Sequence, residues 1–167
     1  MPAIAELRDE HHRLLHEVDH VRRALESGDG DRGRELLAAL VGHLEQHVNR
    51  EELGIFTALR SQGDYVDEVD ELEGEHRWLD TAIAGLQPGS VEFDTAVAAL
   101  FEALEAHIER EDLGIFPVSV VTLGAEGWNI VQRVHDERPS FLTPPTPRAR
   151  RTCSSSSAPS WSARRPG

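Results

Sequence analysis

The sequence predicts an all-α protein, an up-down-up-down four-helix bundle with a short fifth helix, and three observations carry that prediction. Glycine and proline divide residues 1–138 into four long segments, and each segment places apolar residues at helical spacing. No window alternates as a strand would. The second half of this region also repeats the first.

The first segment, residues 3–27, ends at Ser27-Gly28-Asp29-Gly30, and its Ile4, Leu7, His11, Leu14, Val18, Val21 and Leu25 fall three and four apart, which makes one buried stripe. The second, 31–61, stops near Gly63 and continues Leu40 and Leu44 into His47 and Glu51. Residues 65–86 end at Gln87-Pro88-Gly89 and repeat the first stripe with Leu72, His76, Leu79, Ile83 and Leu86. Residues 91–116 are expected to end at Pro117, after Leu100, Leu104, His107 and Glu111. A shorter helix from Trp128 to Glu137 is expected to pack across one end. Short connections between long helices favour antiparallel neighbours.

The repeat is explicit. LVGHLEQHVNREELGIF at 40–56 and LFEALEAHIEREDLGIF at 100–116 share ten of seventeen positions without a gap. Setting Glu10-His11 on Glu75-His76 also superposes Leu7 on Leu72, Leu14 on Leu79 and Val18 on Ile83. A duplicated helical hairpin of this kind folds about an approximate two-fold axis.

Composition narrows the function. A chain of 167 residues suits one domain, and its single cysteine, Cys153, excludes a disulfide framework or a cysteine-rich zinc or iron–sulfur site within one chain. Residues 1–138 carry a net charge of −18 and the remainder +5, so the folded part repels nucleic acid and anionic membranes. The acidic start MPAIAELRDEHH is unlike a signal peptide, and no run approaches the ~20 apolar residues of a membrane span, so a cytoplasmic protein is expected. Residues 139–167 hold six Pro, seven Ser and no acid, the composition of a disordered tail.

Each half places one His on the stripe of its first helix, His11 or His76, and a His-x-x-x-Glu pair on its second, His47/Glu51 or His107/Glu111. Positions four apart lie within about 40° on a helix, so each pair aims inward along its own stripe. A lone His on an apolar stripe is ordinarily a core histidine bonded to a carbonyl, and a lone His/Glu pair is ordinarily a surface ion pair. Six such residues in register across a duplication are another matter. Two carboxylates facing four imidazoles in a core cost several kcal/mol unless a cation neutralises them.

Imidazole and carboxylate without thiolate suit iron, manganese or zinc and argue against magnesium and calcium. Two octahedral ions offer twelve positions. Four imidazoles, two bridging carboxylates and one bridging oxo or hydroxo group leave two open, which favours two iron ions over zinc or manganese and admits dioxygen, peroxide or nitric oxide. The alternatives at this point are a non-catalytic oxygen- or iron-binding protein and a zinc hydrolase in the same cradle. No flavin or dinucleotide motif is evident, so a redox activity would need an external electron donor.

The motifs EHHRLL, HVNREELGIF, EHRWL and HIEREDLGIF, in that order over roughly residues 4–138, resemble the hemerythrin-like HHE cation-binding family. The resemblance implies that His11, His47, Glu51, His76, His107 and Glu111 ligate a di-iron centre with both Glu bridging. Oxygen-carrying hemerythrins have a fifth His one turn after the third-helix ligand. Here that position is Asp80, a possible additional ligand, and the change points to reaction with the bound species in place of reversible carriage. His43, one turn before His47, is a further candidate for contact with the centre. His16-Glu17-Val18-Asp19-His20 matches the zinc-protease HExxH pattern, but His16 and His20 point away from the Leu7/His11/Val18 stripe, towards solvent with His12.

Overall fold

The computed structural model describes residues 2–63 and 65–143, and the described residues are helices joined by turns and short irregular connections, with no strand among them. Helix α1 (Pro2–Glu26) is followed by α2 (Gly30–Glu51), a π-helical turn (Glu52–Phe56) and α3 (Thr57–Gln62), which together form the second rod. The third rod is α4 (Val66–Gly85). The fourth comprises α5 (Phe93–Arg110), a second π-helical turn (Glu111–Ile115) and α6 (Phe116–Thr122), and α7 (Ala125–Glu137) is the fifth helix.

The turns follow local chemistry. Gly28 and Gly63 take φ of +80° and +79°, a left-handed backbone that glycine enters without a Cβ penalty, and each stands just beyond a helix end. The Asp29 side chain accepts a hydrogen bond from the Arg32 backbone N–H and caps α2.

The fourth rod does not stop at Pro117. It runs on to Thr122, with Pro117 as the second residue of α6, directly after the second π-helical turn. Each π-helical turn is marked by a bond to the carbonyl five residues back, Thr57 N–H to Glu52 O in the first half and Phe116 N–H to Glu111 O in the second. Pro117 stands where Thr57 does and has no N–H to donate. The second π-helical turn therefore closes one residue earlier.

The apolar stripes make two cores rather than one. Ile4, Leu7, Ile55, Phe56, Leu59, Val69, Leu72, Ile115, Phe116 and Val131 pack at one end, and Leu14, Val18, Val21, Leu37, Leu40, Leu44, Leu79, Phe93, Val97, Leu100, Phe101, Leu104 and Ile108 at the other. At roughly 1.5–3 kcal/mol for each large apolar side chain buried, both are substantial. Between them lies a polar layer, since His11 separates Leu7 from Leu14, His76 separates Leu72 from Leu79, and His47 and His107 follow Leu44 and Leu104.

Helix α7 packs on the first π-helical turn, on α3 and on α1. Its Val131 is fully buried, and a Cβ on Gly54 would meet Val131 and Val134 at 3.9 Å. Packing also extends past the expected boundary at residue 138, because Ser140 is buried and Phe141 stacks on His43 at 4.5 Å between ring centroids. Residues 144–167, most of the expected disordered tail, lie outside the described residues.

Candidate metal centre

The polar layer brings the six sequence-predicted ligands together. Glu51 and Glu111 are 0% exposed, and His11, His47, His76 and His107 are all buried. Two quartets emerge, His11/His47/Glu51/Glu111 and Glu51/His76/His107/Glu111, each with one ligating atom per residue within 4.8 Å of the others. Both carboxylates belong to both quartets.

The His-x-x-x-Glu distances repeat across the two-fold, and the first-helix histidines differ by several tenths of an ångström. His47 Nε2 lies 3.1 Å from Glu51 Oε1, and His107 Nε2 lies 3.3 Å from Glu111 Oε1, each one turn along its own helix. His11 Nε2 crosses to Glu111 Oε2 at 3.2 Å and to Glu51 Oε1 at 3.7 Å. His76 Nε2 stands 3.8 Å from a carboxylate oxygen of each Glu.

Four further carboxylates fix the imidazoles. His47 Nδ1–H donates to Glu10 at 2.8 Å and His107 Nδ1–H to Glu75 at 2.8 Å, in each case to the residue preceding the first-helix His of the same half. His11 Nδ1–H donates to Asp112 at 3.2 Å and His76 Nδ1–H to Glu52 at 2.9 Å, in each case to the residue after the ligand Glu of the other half. Four residues further along the same rods, Phe116 stacks on His11 at 5.3 Å and Phe56 on His76 at 5.7 Å. With Nδ1–H committed outward, every Nε2 turns its lone pair into the layer.

That geometry calls for a cation. His11 Nε2, His47 Nε2 and all four oxygens of Glu51 and Glu111 are buried without a hydrogen-bond partner, where each such group costs about 1–3 kcal/mol or more. His76 Nε2 and His107 Nε2 are 2.9 Å apart, lone pair facing lone pair once both Nδ1 atoms donate. The residues therefore fit a cation site to which imidazole and carboxylate of both quartets could contribute.

Without a cation, protons take its place. Burial alone would lower the His11 pKa, but the hydrogen bond to Asp112 and the facing Glu111 and Glu51 carboxylates outweigh it and raise it to about 11. Burial likewise opposes His107, and Glu111, Glu51 and Glu75 raise it to about 9. Burial pushes Glu51 up, yet the charge of His47 and the nearby His11 hold its carboxyl well below the usual range. The layer is built for positive charge.

Other predicted contributors lie elsewhere. Asp80 is exposed and joins neither quartet; it lines a cavity of about 200 Å³ that His76 and Glu52 also line. His43 meets Glu17 at 2.9 Å and stacks on Phe141, and Glu17 also accepts from Arg13 at 2.8 Å. His12 and His16 are exposed and His20 is half-buried, with the His16 and His20 rings 4.2 Å apart. The solvent-facing reading of the HExxH match holds.

Reading the sequence for ligands alone misses Glu10, Glu75, Glu52 and Asp112. Their signal was the repeat itself, since Glu-His at 10–11 and 75–76 and the acid after Glu51 and Glu111 recur in register.

A four-helix bundle with a duplicated His/Glu cluster sealed between two apolar cores defines a class of metal-binding bundle proteins. Residues 3–119 match the hemerythrin HHE cation-binding domain, and the chain belongs to that family. No curated protein and no solved structure matches the chain significantly. None of the described helices is long and apolar enough to cross a membrane.

Proposed function

We propose that the chain is a non-haem di-iron protein of the cytoplasm that reacts with or senses dioxygen, peroxide or nitric oxide, with His11, His47, Glu51, His76, His107 and Glu111 as the ligands. The observation that carries the reading is the pair of quartets sharing Glu51 and Glu111, whose buried oxygens have no other partner. Iron, when bound, supplies one-electron redox chemistry and exchangeable coordination positions.

The chain's own residues do the rest. Glu10, Asp112, Glu52 and Glu75 each hold one Nδ1–H, which fixes the tautomer and raises the basicity of the ligating nitrogen. Phe56 and Phe116 cover the rings of His76 and His11 and exclude water from that side. The 200 Å³ cavity lined by His76 and Glu52 is of a size for a small molecule and too small for a macromolecular substrate. Asp80 outside both quartets supports reaction over carriage, since the position that would carry a fifth imidazole donates nothing to the layer. Electrons are supplied from outside the chain.

The test is metal analysis of aerobically purified protein together with an optical spectrum and a peroxide assay. Two irons per chain, near-ultraviolet absorption of a coupled ferric pair and peroxide consumption faster than free iron are expected. A spectroscopically silent zinc protein, or repeated reversible oxygenation with no peroxide consumption above free iron, contradicts the reading.

A further inference from the structure

Duplication makes the two metal positions equivalent in their ligands, but the supports behind those ligands differ. Behind His47, the Glu10 carboxylate is 0% exposed and divides its oxygens between His47 Nδ1 and the Arg50 guanidinium. Arg50 is itself 1% exposed. Its other contacts are the Glu6 carboxylate and Nδ1 of His135 at 2.6 Å, which α7 lays over the charge. Burial, and then the positive charge of Arg50, lower the His135 pKa against the opposing pull of Glu6, whose carboxylate lies 2.8 Å from the same Nδ1.

The equivalent chain behind His107 runs to Glu75 and Arg110, but Glu75 is 22% and Arg110 56% exposed. The first-helix histidines repeat the contrast. Asp112, on His11, is held by Arg8 at 3.3 Å and by the Arg8 hydrogen bond to its carbonyl, whereas among the described residues Glu52, on His76, has no arginine. Exposed ion pairs are screened and mobile, and a buried charge-assisted pair shielded from water is held more firmly.

We infer that Arg50 is a positioning residue, which pins Glu10 on His47 and makes the His11/His47 position the slower-exchanging of the two metal positions. The inference rests on the dinuclear reading above. A ligand whose Nδ1 partner cannot move keeps its Nε2 on the ion, and loss of such a partner ordinarily weakens binding ten- to a hundredfold.

The experiment follows release of ferrous iron from the fully loaded, full-length chain to a colorimetric ferrous chelator under anaerobic conditions. Two phases of one iron each are expected. Arg50→Met should accelerate the slow phase about tenfold or more and leave the fast phase alone. Arg50→Lys should recover part of the loss, and Arg110→Met should leave the slow phase unchanged. Because Arg50→Met strands a buried carboxylate and risks the fold, Glu10→Gln with Arg50→Met removes both charges together and should accelerate the same phase. Glu6→Gln, at a residue 38% exposed, should do so more weakly.

A single release phase for both irons in the unaltered chain overturns the inference. So does a slow phase that survives Glu10→Gln/Arg50→Met, or one that Arg110→Met accelerates equally. A chain that never takes up two irons overturns the dinuclear reading instead, and uptake is measured before release.

Discussion

The two halves of the bundle share ligands and differ in what stands behind them. Gly54 lies under α7 with Val131 and Val134 against it, whereas the equivalent Gly114 has nothing within 4 Å of its Cβ position. Where α7 covers the first half, the second half has an open groove of about 320 Å³ lined by Leu72, Gly114, Ile115 and Val118. Arg50 is buried and Arg110 is exposed for the same reason. The His/Glu layer and its four Nδ1 carboxylates have kept their two-fold symmetry, while the surroundings that do not touch the ligating atoms have diverged.

The largest effect should come from breaking what the halves share. Because both Glu belong to both quartets, Glu51→Ala or Glu111→Ala should cost metal at both positions, and the double variant should bind none. Metal content per folded chain checks this. Loss confined to one position would mean that the carboxylates do not bridge.

Removing metal should expose how protons substitute for it. His11 and His107, raised to about 11 and about 9 from 6.5, stabilise the metal-free fold fully below pH 6.5 and lose that contribution as pH rises through 9 towards 11. Glu51 and Glu111, lowered from 4.5, contribute above that value and lose their contribution as pH falls below it. The metal-free thermal midpoint should therefore be highest between about pH 5 and 6.5 and decline towards pH 9, a decline that iron loading flattens. Equal slopes for both forms would show that the imidazoles do not carry the compensating protons.

A matched pair of substitutions sharpens the comparison between halves. Gly54→Val should push α7 off the first π-helical turn and cost about 1–3 kcal/mol through overpacking. Gly114→Ala, in open space within a helix, should gain about 0.5–1 kcal/mol. Thermal denaturation of the two variants distinguishes them, and equal destabilisation would contradict the difference in packing. The smallest effect belongs to His16→Ala with His20→Ala, which should leave stoichiometric metal unchanged because neither side chain faces the layer.

Much of this was legible in the sequence, and for a physical reason. Helical periodicity placed His11, His47, Glu51, His76, His107 and Glu111 on core stripes, and buried charge in duplicate leaves few explanations besides a metal. The Nδ1 partners were harder to read, because Glu10 and Glu52 sit beside a ligand in sequence and so resemble a solvated face until the neighbouring rod is in place. Burial of Arg50 depends on His135, 85 residues away. No local pattern encodes that contact. Asp80 and His43 were drawn in by spacing of one turn from a ligand, yet one is exposed and the other faces Glu17 and Phe141. Pro117 reads as a stop, and the π-helical turn before it is what lets the helix continue.

The central claim is that one buried layer holds two ions shared by two carboxylates. An anomalous difference map at the iron edge, from crystals of the loaded full-length chain, tests it most directly. Two peaks about 3.5–4 Å apart are expected, one beside His11 and His47 and one beside His76 and His107, with Glu51 and Glu111 touching both. A single peak in the layer, or iron found only at His16 and His20, would contradict it.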